Sequence, residues 1–197
     1  MPWFTDVGML YYRKDLLQQS GISEPPATWE ELKQMAEQVR QDSGTKYGFV
    51  FQGSNYESGV VDGLEYIWTH GGDVLDGNKV VIDSPEAAAG LATERSMVTD
   101  GITPEAVVNY TETDSQTTFL NGDAVFMRTW PYVYGLLSDP EQSKIKPDQV
   151  DVAPIPPARA ARATAAWGIG TCSSTPLAKT SWTPPGPSSS ISAPPSR

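Results

Sequence analysis

Only one cysteine, Cys172, and one histidine, His70, occur among the 197 residues. A single thiol excludes an intrachain disulfide and leaves the redox compartment unread. Any Ser-His-Asp or Cys-His site would have to use His70, which stands beside Gly71-Gly72. A helix is expected to stop there, and a cation at a helix C-terminus is the ordinary reading of such a histidine. There is no Cys/His cluster for zinc, no P-loop, no dinucleotide glycine pattern and no Asp-x-Asp-Gly calcium loop, so neither metal nor cofactor is expected. No apolar run is long enough to span a bilayer. Positive charge is scarce too: 14 Lys and Arg stand against 24 Asp and Glu, for a net charge of -10. That balance argues against nucleic acid and against an anionic membrane surface as partners. After Asp151 carboxylates are absent altogether, and only Arg159, Arg162, Lys179 and Arg197 carry charge. Met1-Pro2-Trp3-Phe4-Thr5-Asp6 is not a secretory leader, which would need a basic and then an apolar stretch.

What is present is a regular alternation of strand and helix signals. Residues 4–12 read as a buried strand running into a helix over 13–20 that ends at Gly21, a favoured C-cap. Thr28-Trp29-Glu30-Glu31 has the form of a capping box, and Leu32, Met35, Ala36 and Val39 continue it as a one-face stripe. A strand over 47–51 precedes a helix over 56–70 with Val60, Leu64, Ile67 and Trp68 as its apolar positions. A hairpin is expected over 74–82, turning at Asp76-Gly77-Asn78. Ser84-Pro85-Glu86 opens another helix, with serine as N-cap and proline at the first helical position. A helix closing over 117–120, a strand over 124–127, a helix over 131–137 and a strand over 150–155 complete the series. Such alternation indicates an α/β layered fold.

Several segments resemble one family in the same order. They are Pro2-Trp3-Phe4-Thr5-Asp6-Val7-Gly8 with the strand after it, Thr28-Trp29-Glu30-Glu31-Leu32, Gly71-Gly72, and Phe119-Leu120-Asn121-Gly122-Asp123-Ala124-Val125-Phe126-Met127. Arg128-Thr129-Trp130-Pro131 and Val152-Ala153-Pro154-Ile155-Pro156 follow. Together they resemble the sugar-binding proteins of ABC importers, extracellular solute-binding protein family 1, of the maltose- and trehalose-binding kind. The likeness runs from about Pro2 to Gly170. It implies a periplasmic-binding-protein-like II fold in which two α/β lobes close on a sugar about a hinge. In that family the opening stretch lies where the chain first crosses between lobes. This chain is therefore expected to be a fragment starting at the hinge and holding mainly the second lobe.

The resemblance implies a lobe over 1–157, a return toward the other lobe over 158–170, and a tail over 171–197 outside the pattern. That tail is almost all Ser, Thr, Pro, Gly and Ala, with Trp182 alone in it. Such composition reads as a disordered linker. It also reads as a frame shift: codons for Trp182-Thr183-Pro184-Pro185-Gly186, started one base earlier, allow Asp-Ala-Ala-Trp, as the family carries here.

Sugar recognition needs aromatic faces for the apolar C–H side of a pyranose and carboxylates for its rim of hydroxyls. Charged acceptors strengthen such bonds without requiring a charged ligand. The resemblance implies Asp6 as a hydroxyl acceptor, Phe4 as an aromatic neighbour, and Tyr56 and Glu57 as loop contacts. Trp130 is implied as the main stacking ring, with Tyr132 supporting it. Trp167 stands in a loop like the family's Gly-Gly-Trp, though Ala165-Ala166 replace the glycines. Each has a plainer reading: a turn or cap for Asp6, core packing for Phe4, a helix-dipole partner for Glu57. Trp3, Trp29 and Trp68 read as core. The implied partners are a neutral sugar or oligosaccharide and the membrane permease subunits. The implied form is a monomer at the periplasmic or extracellular face, lipid-anchored or free. Two other readings stand beside this one: a glycoside hydrolase using Asp6 and Glu57 as a carboxylate pair, and a truncated gene product without function.

Overall fold

A computed structural model describes residues 6–159, and the four strands of its main sheet account for the alternation in the sequence. Phe4, Trp3, Trp167 and the whole 171–197 segment lie outside the described residues. The sheet runs β2 (Tyr47–Val50), β5 (Ala124–Thr129), β1 (Met9–Arg13), β6 (Val150–Ala153). β2 and β5 are parallel, while β1 is antiparallel to both β5 and β6. Side chains alternate across a strand, so each strand feeds both sides of the sheet. Leu10, Phe49 and Phe126 join one core with Trp29, Leu32, Ala36 and Val39. Their neighbours Tyr11, Val50 and Met127 join the other, with Phe119, Val133 and Val150. β5 is buried at every position because helices cover both of its faces.

The helices are α1 (Lys14–Gln19), α2 (Trp29–Ser43), α3 (Glu57–Thr69), α4 (Pro85–Thr99), α5 (Glu112–Leu120) and α6 (Val133–Leu136). Gly21 follows α1 with φ 76°, the left-handed geometry a helix exit favours. The Thr28 hydroxyl accepts from the Glu31 N–H at 3.1 Å, as a cap should. The Glu31 carboxylate takes the Ala27 N–H at 2.8 Å, one residue upstream of the Thr28 N–H that a capping box prescribes. Ser84 caps α4 through the Ala87 N–H. The hairpin is shorter than 74–82, with β3 (Leu75–Asp76) paired to β4 (Lys79–Val80) around Gly77 at φ 59°.

The helix expected to close over 117–120 does so as α5, whose start at Glu112 is secured where Asp114 accepts the Thr111 N–H at 2.8 Å. Two expectations are corrected by packing. The first strand begins at Met9, where pairing with Thr129 begins, and the described residues 6–8 ahead of it are not strand. Most telling is α3. Val60, taken as apolar core, is 59% exposed, whereas Ser58, Asp62 and Glu65 are buried with Tyr66 and Ile67. Leu64 and Trp68 are half-buried. The inward face of this helix carries acids because a cation waits for them on β5.

Trp29 is core, stacked on Tyr66 at a centroid distance of 4.3 Å. His70 lies at the end of α3, where its Nδ1 meets the Tyr66 carbonyl at 2.7 Å and its Nε2 meets Thr93 Oγ1 at 2.9 Å. It ties α3 to α4.

Candidate functional site

The sheet topology gathers three chain segments at one end. β2 and β5 are parallel, so their C-terminal ends lie side by side and lead into Gln52 and Trp130. β1 is antiparallel to β5 with Met9 opposite Thr129, which brings the entering segment Asp6-Val7-Gly8 to the same end. Ligand crevices of open α/β sheets form outside the carboxyl ends of their parallel strands.

Arg128 is the centre of this end. A charge inside a buried strand must find partners, since an unpaired buried ion is prohibitively costly. Its side chain is 2% exposed, and its Nε and Nη2 donate to the two Glu65 oxygens at 2.8 and 2.6 Å. Nη1 donates to Gln52 Oε1 at 3.1 Å. Nη1 also lies 2.8 Å from Asp62 Oδ1, an ion-pair contact rather than an aligned hydrogen bond. Asp62 Oδ2 accepts the Gln52 N–H at 3.0 Å, and the Gln52 amide nitrogen reaches Ser115 Oγ at 2.6 Å and the Arg128 carbonyl at 3.0 Å. Burial pushes the Asp62 carboxyl well up, against the pull of Arg128, and the two acids hold the guanidinium above its ordinary range despite its own burial.

Trp130 leaves β5 on top of this cluster. The guanidinium carbon of Arg128 stands 4.0 Å from the Trp130 ring centroid, covering one face of the indole. The indole N–H points to Glu112 Oε1 at 3.4 Å, and the Tyr11 hydroxyl is shared between the carbonyls of Trp130 and Pro131 at 3.2 and 3.1 Å. Burial pushes the Tyr11 phenol up to about 12, so this donor stays protonated at neutral pH. Glu112 also receives the hydroxyls of Tyr56 and Ser58. Partial burial raises the Glu112 carboxyl, but the Ser58 and Tyr56 bonds outweigh that and hold it below its usual value. Burial and the same Glu112 bond push the Tyr56 phenol up to about 12.

The expected residues are placed as follows. Trp130 and Tyr56 are half-buried and joined through Glu112. Tyr132 is 52% exposed, and its hydroxyl accepts from Gln116 Nε2 rather than from Trp130. Asp6 is exposed ahead of β1 and accepts its neighbour Val7's N–H at 3.0 Å. Its charge nonetheless acts on both Tyr11 and Arg128. Glu57 is exposed in the first turn of α3. Tyr56 borders a concavity of about 240 Å³ with Ser54, Asn55 and Gly59. Asp6 and Glu57 share no hydrogen-bond partner among the described residues. Nor is there a His, Cys, Asp and Glu group fit to hold a metal among them.

Sequence reasoning passed over Glu112, Ser58, Gln116 and the Arg128 cluster. One signal was available. Arg128 interrupts a run of apolar strand residues, and Asp62 and Glu65 are spaced to share one helix face.

The family model for bacterial extracellular solute-binding proteins matches residues 1–179, continuing beyond Gly170. A probable ABC transporter-binding protein of Deinococcus radiodurans is 41% identical over 140 residues, covering 68% of this chain and 33% of that protein. The maltose-bound structure of T. maritima MalE3 is 50% identical with a TM-score of 0.75, over 82% of this chain and 42% of that one. A solute-binding protein of Agrobacterium radiobacter K84 in complex with ribitol is 30% identical with a TM-score of 0.67, over 78% of this chain and 39% of the other. The chain thus spans about a third of the length of the curated relative and about two fifths of the structures.

Proposed function

This chain belongs to the bacterial extracellular solute-binding proteins, and on that premise we propose that residues 1–157 form one wall of a neutral-sugar site in an ABC importer's receptor. The observation that carries the reading is the half-buried Trp130 ring, backed by Arg128 on one face and flanked by the Glu112 acceptor. A flat apolar ring beside ionised acceptors is what a pyranose requires, a C–H face to stack and hydroxyls to bond. Asp6, Tyr56 and Glu57 supply further polar groups around the same sheet end, Tyr132 widens the aromatic surface, and Phe4 and Trp167 are assigned to it by resemblance. MalE3 with maltose supports an oligosaccharide as ligand.

In the whole protein a second lobe closes over this wall, and the closed form docks on the membrane permease. The receptor acts as a monomer at the extracellular or periplasmic face, anchored by lipid or free. It delivers its ligand unchanged. Family membership supports capture rather than turnover, and the stacked ring with satisfied carboxylates needs no acid–base pair.

Maltose titration followed by tryptophan fluorescence tests this. The wild-type chain should respond, Trp130→Ala should lose the response, and Trp29→Ala should lower stability while keeping it. A response that survives Trp130→Ala at full size would remove the assignment.

A further inference from the structure

Arg128 does more in this fold than balance two buried acids. Its guanidinium contacts three of the segments at the candidate sugar wall and lies close to a fourth. The guanidinium carbon lies 4.0 Å from the Trp130 centroid, the Nε–Nη2 edge is forked onto Glu65 of α3, and Nη1 reaches Gln52 at the end of β2. The fourth segment is the one carrying Asp6. A Cβ built on Gly8 would stand 2.6 Å from Arg128 Nη2 and would collide with the Glu65 carboxylate as well. Only a glycine lets the backbone two residues after Asp6 run this close to the ion pair.

We infer that Arg128, locked by Glu65 and Asp62, is a positioning residue that fixes the plane of Trp130 and the path of the Asp6 segment, leaving one indole face open for sugar. This rests on the sugar-site reading above. The physical reason is geometric. Arginine's planar fork can bind a carboxylate along one edge and lie flat against a ring at the same time, and lysine can do neither. A ring held at its edge by Glu112 alone, through a contact of 3.4 Å, would still pivot about that edge. Backing by Arg128 removes the pivot and closes that face, so ligand stacks on the opposite side only. The acids on α3 are what make the arrangement rigid. Glu65 neutralises the guanidinium through its two bonds, so that it serves the ring as a surface and does not leave an unbalanced positive charge beneath the sugar.

The test compares the 197-residue chain with Arg128→Lys, Glu65→Gln and Trp130→Phe. The near-UV circular dichroism of Trp130, taken as the difference from Trp130→Phe, reports how firmly the ring is held and needs no ligand. Arg128→Lys keeps the charge, so a merely ionic role would leave this band in place. The expected result is loss of most of the Trp130 band in Arg128→Lys with far-UV dichroism unchanged, and at least a tenfold weaker maltose response. Should Arg128→Lys fail to fold, Glu65→Gln decides, since it keeps the shape of the acid and loosens the fork. An unchanged Trp130 band in a folded variant, or unfolding of both variants, would overturn the positioning role. If the wild-type chain ignores maltose and the band still collapses in Arg128→Lys, the sugar reading falls and the positioning role stands.

Discussion

Glu94 sits on α4 with its carboxyl turned into the α3 side and forms no ion pair among the described residues. Burial alone pushes it up to about 7 from an ordinary value of 4.5. The sign follows from which state holds the proton. The unfolded chain releases it near 4.5 while the folded chain keeps it to about 7. Between those values the folded form binds a proton that the unfolded form has lost, so stability falls as pH rises, then levels off above the upper value. The full penalty is on the order of 3 kcal/mol at alkaline pH. Glu94→Gln should therefore raise the thermal midpoint clearly at pH 8 and hardly at all at pH 4.5, as read by circular dichroism melts. Equal effects at both pH values would contradict the assignment. Glu112 has the opposite sign. Its carboxyl lies below its ordinary value once the Ser58 and Tyr56 bonds outweigh burial, so it stays an ionised acceptor throughout the neutral range.

The pair α3 and α4 shows how far a helix contact depends on single missing side chains. A Cβ on Gly90 would lie 2.5 Å from the Tyr66 carbonyl oxygen and 2.7 Å from its carbon, both backbone atoms that cannot step aside. Gly90→Ala should force the helices apart and cost about 1–3 kcal/mol. Gly63 sits on the facing helix with its nearest neighbours, Glu94 and Leu91 side-chain atoms, at 3.8 Å. Alanine fits there, and the helix gains roughly 0.5–1 kcal/mol from the smaller entropy loss. Urea unfolding should therefore move the two midpoints in opposite directions. A destabilised Gly63→Ala or a neutral Gly90→Ala would show that the two helices are not packed as described.

At the scale of the molecule, the proposed site is an open wall. One ring face and a few acceptors at one sheet end leave the ligand's other side in water. The chain covers 42% of the maltose-bound structure, and on the proposed reading closure over that side falls to a second lobe. Each 1.4 kcal/mol withheld weakens binding about tenfold. Loss of several such increments takes a micromolar receptor to roughly millimolar. Calorimetry on the 197-residue chain should find maltose binding no stronger than that. Micromolar affinity would mean that this wall alone makes a complete site.

Read from the sequence alone, the alternation of elements, the caps at Thr28 and Ser84, the exit at Gly21 and a tryptophan at the end of a strand were all legible. They rest on neighbours within a few residues, and local backbone chemistry decides them. The inward face of α3 was not legible. Counting apolar positions put Val60 inside, whereas Asp62 and Glu65 are the buried ones. Arg128 lies 63 residues from Glu65 along the chain, and the Tyr56 hydroxyl lies 56 from its acceptor Glu112. Helical periodicity names a face by its hydrophobicity and cannot say that a cation on a distant strand will reverse the preference. The sequence by itself determined the pieces and their order. Only the tertiary structure decided which polar groups meet, because a buried charge is tolerable solely where the folded sheet delivers its partner.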